Sequence, residues 1–210
     1  MMMKKIGIFG GTFNPPHIGH MILADLVFDK LKLDELIFIP AYIPPHKAKI
    51  HLIDAKHRLN MLKLSINNKK YFKISDIEIK RGGKSYTYDT LMYLKSKNKN
   101  TKFYLIIGYD NYKDFTCWKN YKEILKNCKT IVLKRFLNNE TKNKHHVSYC
   151  QKKLINVETE LPLKNFIFID NPILDISSTE IRNRIKKGKS FEFYVTEKVA
   201  SYIKKNRLYI

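Results

Sequence analysis

The chain has 210 residues, 44% of them hydrophobic and 12% aromatic, which is enough to bury one substantial core, and this length favours a single domain. Lys and Arg number 40 against 19 Asp and Glu, and the formal net charge of +21 raises the question of a polyanionic partner. The lysines are spread through every segment and no RNA- or DNA-binding motif is present, so we expect no nucleic-acid partner. No apolar stretch approaches the roughly 18 to 20 residues of a membrane span, and no leader pattern is present. We therefore expect a cytoplasmic protein without a membrane partner.

The first predicted elements are a strand, a glycine turn and a helix. Lys5 to Phe9 (KIGIF) is typical of a buried strand, and the apolar residues of Ile18 to Leu31 have helical spacing. Leu36 to Ile39 predicts a second buried strand, and Asp54 to Ile66 predicts an amphipathic helix with Asp54 as its N-cap. A third strand is predicted around Tyr71 to Ile79.

The remainder of the chain continues this alternation. Helices are predicted at Thr87 to Lys95, Trp118 to Leu125, Ser178 to Lys187 and Thr196 to Lys205, and strands at Phe103 to Ile107, Ile131 to Leu133 and Phe166 to Ile169. Residues 136–165 are polar with weak periodicity, and we interpret them as a variable surface insertion with one helix near His146 to Lys153.

Strands that alternate with helices of this length imply right-handed parallel crossovers. We therefore expect an α/β domain with a doubly wound parallel sheet and helices on both faces. Ligands of such sheets bind beyond the carboxyl ends of the strands, near the point where the strand order reverses. Four unusual segments follow predicted strands and so fall on that edge: residues 10–20, 44–47, 108–118 and 175–182.

The segment GGTFNPPHIGH after the first strand is the strongest candidate for a phosphate site. Gly10 and Gly11 let backbone amides approach an oxygen anion, and the following helix start adds partial positive charge. His17 and His20 lie three residues apart at that helix start and share a face. An isolated pair of this kind is more often a helix cap, and its spacing without a third ligand is thin support for a metal. After a glycine turn with two prolines, we expect phosphate donors.

Two imidazoles in that place suit nucleotidyl transfer. A phosphate oxygen that attacks the α-phosphorus of a nucleoside triphosphate is already ionised, so the reaction needs charge stabilisation and alignment. Arg182, on the first turns of a predicted helix at the same edge, could clamp the triphosphate in a bidentate way, and Lys47 could neutralise a second part of it. The serines beside Arg182 are sufficiently explained as helix caps.

Three further segments on this edge suit a nucleoside and a pyridine ring. Gly108 permits close approach of a ribose or base, and Asp110 can accept its hydroxyl protons. Trp118 could offer a flat face to a pyridine ring or serve in the core, and both interpretations stay open. Thr87 lies at a helix start whose amides could receive a carboxylate, with ordinary capping as the alternative.

The three cysteines, Cys117, Cys128 and Cys150, follow no metal-ligand spacing. Their odd number and scatter favour reduced thiols, so we expect neither a disulfide nor zinc.

Six segments, spread in order over nearly the whole chain, resemble the bacterial nicotinate-nucleotide adenylyltransferase family of the larger HxGH nucleotidyltransferases. They are GGTFNPPHIGH, IPAYIPPHK, RLNML, SYTYDTL, LIIGYDNYKDFTCWKNYKEIL and DISSTEIRNRIKKGKSFEFYVTEKVASYIKKNRLY. The resemblance implies a Rossmann-like fold and, in NAD biosynthesis, transfer of AMP from ATP to nicotinate mononucleotide with release of pyrophosphate. It also implies Mg2+ as the metal that accompanies ATP.

The resemblance also assigns residues. It implies His17, His20 and Arg182 at the ATP phosphates. Around ATP it places Gly10, Gly11, Phe13, Gly108, Asp110, Ser178 and Thr179, and around nicotinate mononucleotide it places Thr87, Tyr109 and Trp118. Asn14 departs from the usual aspartate but keeps an acceptor, and Thr196 replaces the usual proline at a helix start, where threonine can serve as an N-cap.

Other activities make different predictions. Amides near Thr87 favour a carboxylate, so we expect a preference for nicotinate over nicotinamide mononucleotide. A relative that adenylylates phosphopantetheine would leave SYTYDTL and ISSTEIR unexplained, and a nucleic-acid-binding module predicts steeply salt-dependent binding without ATP turnover. A homo-oligomer is compatible with the sequence.

Overall fold

Six parallel strands of the described chain form one sheet, and their order shows where a ligand can bind. The computed structural model describes residues 3–45, 52–66, 69–133, 161–172 and 174–210. The strands are β1 (Lys4–Gly11), β2 (Glu35–Pro40), β3 (Phe72–Ile74), β4 (Thr101–Gly108), β5 (Lys129–Leu133) and β6 (Phe166–Ile169). They lie in the order β3-β2-β1-β4-β5-β6, and all neighbours are parallel. The order reverses between β1 and β4, so the crevice at their carboxyl ends is the switch point.

Helices cover both faces of this sheet, which confirms the predicted doubly wound α/β architecture. They are α1 (Ile18–Leu31), α2 (Ala55–Ser65), α3 (Ile77–Arg81), α4 (Thr87–Lys97), α5 (Tyr109–Lys113), α6 (Tyr121–Asn127), α7 (Ser178–Lys186) and α8 (Glu197–Lys205). Short 3-10 turns occur at Phe115–Cys117, Leu163–Asn165 and Glu192–Tyr194. Asp54 caps α2 as predicted, because its Oδ1 accepts a hydrogen bond from the Lys56 amide at 2.6 Å.

The alternation of side chains along β4 divides the core into two layers. Phe103, Leu105 and Ile107 pack with residues of α4, α5 and α6, whereas Tyr104 and Ile106 pack on the opposite face with residues of α1 and α2. Successive side chains of a strand point to opposite faces, so both faces of this central strand are buried.

A third cluster joins the end of the chain to α2. Ile181 of α7, Val199 of α8 and the near-terminal Tyr209 pack with Met61 of α2. The contact brings the last residues of the chain to the edge of the sheet where β1 ends.

The predicted third strand is too long. Strand β3 ends at Ile74, and Ile77–Arg81 form the short helix α3. The alternation of Ile77, Glu78 and Ile79 resembles a strand, but Glu78 is buried and accepts a hydrogen bond from Thr90 Oγ1 at 2.6 Å. A buried, hydrogen-bonded carboxyl breaks the assumption that the polar residues of such a pattern face solvent.

The region after β4 also differs from the prediction. Helix α5 follows β4 directly, and helix α6 begins at Tyr121 instead of Trp118. Of the predicted insertion at 136–165, only residues 161–165 are described, and the helix predicted at His146 to Lys153 lies outside the described residues.

The cysteines differ in state. Cys117 is disulfide-bonded, so the expectation of reduced cysteines is wrong at this residue. Cys128 is a free thiol whose pKa is raised to about 12 by burial, and Cys150 lies outside the described residues. Within the part of the chain that the structure describes, every helix is too short or too polar to cross a bilayer.

Candidate active site

The two histidines that follow β1 stack against each other at the start of α1. Their ring centroids are 3.6 Å apart with an interplanar angle of 29°. His17 is the N-cap residue of α1 and is buried, and His20 occupies the third position of the helix. The shared face that was predicted from their spacing is therefore present, at the positive end of the helix dipole.

A backbone contact decides which nitrogen of His20 carries the proton. The His17 amide donates a hydrogen bond to His20 Nδ1 at 3.2 Å. A nitrogen that accepts a hydrogen bond carries no proton, so the neutral ring has its N–H at Nε2. His20 is thereby set as a hydrogen-bond donor through Nε2. Gly19 leaves room for the His17 ring, since a Cβ there would lie 3.0 Å from His17 Nδ1, closer than such contacts usually are.

The side chain of Phe13 supports the turn from below. It is buried among Phe9, Phe38 and His20, and its ring centroid lies 5.1 Å from that of His20. A Cβ on Gly11 would come within 2.9 Å of the Phe13 ring, so the second glycine is required by this packing. Phe13 thus contributes a packed floor under the turn.

Helix α7 docks on the same turn. Ser178 Oγ donates a hydrogen bond to the Pro15 carbonyl oxygen at 2.7 Å. Arg182 Nη1 donates to the Asn14 carbonyl oxygen at 2.8 Å, and Arg182 Nη2 donates to Thr179 Oγ1 at 3.2 Å. The three residues of α7 that the resemblance places at ATP therefore lie within one hydrogen-bond network with the histidine turn.

Asn14 also receives a contact from the end of the chain. Tyr209 Oη donates a hydrogen bond to Asn14 Oδ1 at 2.9 Å, and both side chains are buried. Asparagine at this position thus keeps the acceptor that was expected of it. Thr196 does not cap α8, because its buried hydroxyl has no hydrogen-bond partner among the described residues.

Arg58 ties together the loops that follow β1 and β2. Its side chain is only 1% exposed, and its guanidinium donates to the carbonyl oxygens of Thr12 at 2.9 Å, Tyr42 at 3.0 Å and Ile53 at 3.2 Å, and also to that of Ala41. Burial lowers the pKa of Arg58, but the carbonyl dipoles solvate the cation. Sequence reasoning noted RLNML only as a matching string and missed this role.

A cavity of about 190 Å³ opens between the ends of β1 and β4. Its walls include five of the predicted site residues, namely Gly10, Gly11, Thr87, Gly108 and Trp118. A Cβ placed on Gly10 or on Gly108 would meet no atom within 4 Å, so neither glycine is required by the packing of the protein itself. The bare backbone at these two strand ends leaves room for a ligand.

Helix α4 points its N-terminus at this cavity. Thr87 is its first residue, and the N-cap residue Tyr86 makes no side-chain hydrogen bond to the helix start. The first amides of a helix have no partner within it. Since side-chain capping is absent here, the alternative explanation of this segment as an ordinary cap loses its support.

Trp118 packs against the core and also lines the cavity, so its stacking on a pyridine ring stays a prediction. Its ring stacks on that of Phe115 with centroids 5.1 Å apart. Tyr109 is packed differently, because its ring stacks on Tyr112 with Lys113 Nζ 5.2 Å from its centroid. Tyr109 and Asp110 open helix α5 directly after Gly108, while Lys47 lies outside the described residues.

A buried carboxyl that sequence reasoning missed forms part of the wall near Thr87. Glu78 Oε1 accepts the hydrogen bond from Thr90 Oγ1, which itself accepts one from Arg81 Nη2 at 3.1 Å. Burial raises the pKa of Glu78, although hydrogen bonds from Thr90 and Ser85 oppose the shift.

Comparison with known proteins shows which family the chain belongs to. The cytidylyltransferase-like family model matches residues 8–184. The chain is 40% identical to the probable nicotinate-nucleotide adenylyltransferase of Bacillus licheniformis, with 99% of each chain covered, and 42% identical to that of Dehalococcoides mccartyi, with 100% of this chain and 98% of the relative covered. The nicotinic acid mononucleotide adenylyltransferase of Plasmodium falciparum, solved in complex with NaAD, has the same fold, with a TM-score of 0.75, 23% identity and coverage of 98% and 97% of the two chains. The chain therefore belongs to the nicotinate-nucleotide adenylyltransferase family of cytidylyltransferase-like proteins.

Proposed function

We propose that the protein transfers AMP from ATP to nicotinate mononucleotide in the cavity between β1 and β4, giving nicotinate adenine dinucleotide and pyrophosphate. The observation that carries this proposal is the stacked pair of His17 and His20 at the start of α1, with Arg182 bonded to the turn that precedes them. One nucleotidyltransferase domain, residues 1–210, holds the whole site in this proposal.

In the reaction, a phosphate oxygen of the mononucleotide forms a bond to the α-phosphorus of ATP. The bond from this phosphorus to the oxygen that bridges to the β-phosphorus breaks, and pyrophosphate leaves. The nucleophile is already ionised, so His17 and His20 act as donors to the α-phosphoryl oxygens rather than as bases. Arg182, Ser178 and Thr179 bind the β- and γ-phosphates from α7.

The adenosine lies along the bare strand ends at Gly10 and Gly108, with Asp110 as acceptor for its ribose hydroxyls. The pyridine ring stacks on Trp118, and its carboxylate accepts hydrogen bonds from the uncapped amides at Thr87. Amides donate to a carboxylate but are poorly matched to the NH2 group of a carboxamide. This end of the site therefore favours nicotinate over nicotinamide mononucleotide.

Mg2+ enters this proposal as part of the ATP substrate. Magnesium in such reactions is held largely by phosphates and water, with one or two carboxylates. The described residues include no group of three His, Cys, Asp or Glu side chains placed to hold a metal ion. The cytoplasmic location remains a prediction.

The experiment is an initial-rate assay of pyrophosphate release with Mg-ATP and each mononucleotide, with the dinucleotide product identified by mass. We expect turnover with nicotinate mononucleotide and a lower kcat/KM with the amide. Equal or greater efficiency with the amide would overturn the acid preference alone. An absence of pyrophosphate release with either substrate would overturn the proposed function.

A further inference from the structure

We infer that Tyr209, next to the last residue of the chain, is a positioning residue for the reaction, because its phenol holds Asn14 in the turn that carries His17. The inference rests on the proposed function. It assigns a role to a residue 195 positions away from its partner in the sequence.

The contact is short and enclosed. Tyr209 Oη donates to Asn14 Oδ1 at 2.9 Å, and the exposed fractions of these side chains are 8% and 4%. The Tyr209 ring is fixed from the other side by the third core cluster, which includes Ile181 and Leu208. A donor on a packed ring has little freedom to move, so the hydrogen bond fixes the Asn14 side chain relative to the core.

Asn14 also lies where the residues proposed to bind phosphate contact the turn. Its carbonyl oxygen accepts from Arg182 Nη1 at 2.8 Å, and the next residue, Pro15, accepts from Ser178 Oγ at 2.7 Å. Tyr209 provides a third donor to these two residues and binds the only side-chain oxygen among their acceptors. His17 follows Asn14 by three residues, so a shift of this turn moves the histidine pair against the α7 residues.

The phenol is suited to act as a permanent donor. Burial raises the pKa of Tyr209, so the hydroxyl stays protonated throughout the pH range of the protein. The nearby Arg182 and Arg58 oppose this shift without removing it.

The test is Tyr209→Phe, which deletes one oxygen and keeps the packed ring. Tyr202→Phe is the matched control, because Tyr202 Oη bonds to His57 Nδ1 at 3.0 Å and Asn60 Nδ2 at 3.2 Å, which join α8 to α2 away from the turn. We expect Tyr209→Phe to lower kcat by about fivefold to tenfold, the equivalent of one positioning hydrogen bond, with both KM values within about twofold. Tyr202→Phe should keep the kcat of the unaltered protein while lowering Tm by about as much as Tyr209→Phe does.

A cycle with Asn14→Ala approaches the same contact from the other side. If the two residues act as a unit, the double variant should have the kcat of Asn14→Ala alone. A Tyr209→Phe variant with unaltered kcat, a loss matched by Tyr202→Phe, or additive effects in the cycle would overturn the inference. An unaltered protein that releases no pyrophosphate would instead overturn the proposed function.

Discussion

The two ends of the candidate site bury ionisable groups of opposite kind, one basic and one acidic. Beside the turn after β1 lies Arg58, whose charge is solvated by backbone carbonyls of neighbouring loops. Beside the start of α4 lies Glu78, whose carboxyl is hydrogen-bonded to Thr90. At the first end, the contacts of Arg58 with backbone carbonyls hold the turn that carries the proposed phosphate donors. The second end has a carboxyl set back behind a helix N-terminus.

In the proposed mechanism, the two ends bind different parts of two substrates that both carry phosphate. There the first end stabilises developing charge, which requires groups held in place, and hydrogen bonds converge on its turn at Asn14 and Pro15. The second end is proposed to recognise the pyridine ring through the flat indole of Trp118 and the start of α4. We expect changes at the first end to lower turnover and changes at the second end to weaken binding.

The largest expected effect is at the histidine pair. His17→Ala or His20→Ala should each lower kcat by about 100- to 1000-fold, the usual cost of losing one donor to transition-state charge, with smaller changes in KM. Initial rates of pyrophosphate release measure both quantities. His57→Ala, on α2 away from the cavity, is the control and should retain kcat. Near-normal turnover of either variant would remove that residue from the mechanism and break the contrast between the two ends.

A smaller effect is expected at Trp118. Trp118→Ala should raise the KM for nicotinate mononucleotide by about tenfold, which corresponds to the loss of one stacked ring, and should leave kcat nearly unchanged. Trp118→Phe keeps an aromatic face and should recover most of the affinity. If Trp118→Ala lowers Tm with no change in KM, the residue serves only the stack on Phe115.

The smallest expected effect is on stability, at Glu78. Because burial raises its pKa above the ordinary 4.5, the folded protein binds this proton more tightly than the unfolded chain. The resulting stability is complete below pH 4.5 and is lost as the pH rises through the higher folded-state value. The Tm of the unaltered protein relative to Glu78→Gln should therefore fall between acidic and neutral pH.

Glu192 provides the control of opposite sign. Its pKa is lowered to about 2, first by the hydrogen bond from Lys204, so its stability is present above 4.5 and is lost as the pH falls towards 2. The Tm of the unaltered protein relative to Glu192→Gln should thus fall with acid. If the Tm of the unaltered protein instead rose relative to that of Glu78→Gln as the pH increased, the result would contradict the raised pKa of the buried Glu78.

The sequence predicts the elements whose signals are local. Buried strands such as KIGIF and FYLII are read from short apolar runs between glycine turns, and the start of α2 is read from the capping residue Asp54. Each of these depends on neighbours a few residues away. The same reasoning failed at Ile77 to Ile79, where a buried Glu78 imitates the polar face of a strand.

The site divides in the same way. The positions of Gly10, Gly108 and the histidine pair can be predicted, because each lies at or shortly after the carboxyl end of a strand. The residues that support them cannot, since the contacts of Arg58 with Thr12 and of Tyr209 with Asn14 span 46 and 195 positions. Such partners are chosen by packing in three dimensions, and no spacing in the sequence records them.

The glycines at the ends of β1 and β4 separate two kinds of selection. An alanine at Gly10 or Gly108 would touch nothing in the protein and would restrict the unfolded chain, so a screen for thermal tolerance alone would accept it. In the proposed complex, the methyl group would nevertheless occupy volume that the nucleotide needs. A lineage released from the need to make the dinucleotide could therefore fill these positions and keep its fold, and their side chains would record when catalysis ceased to matter.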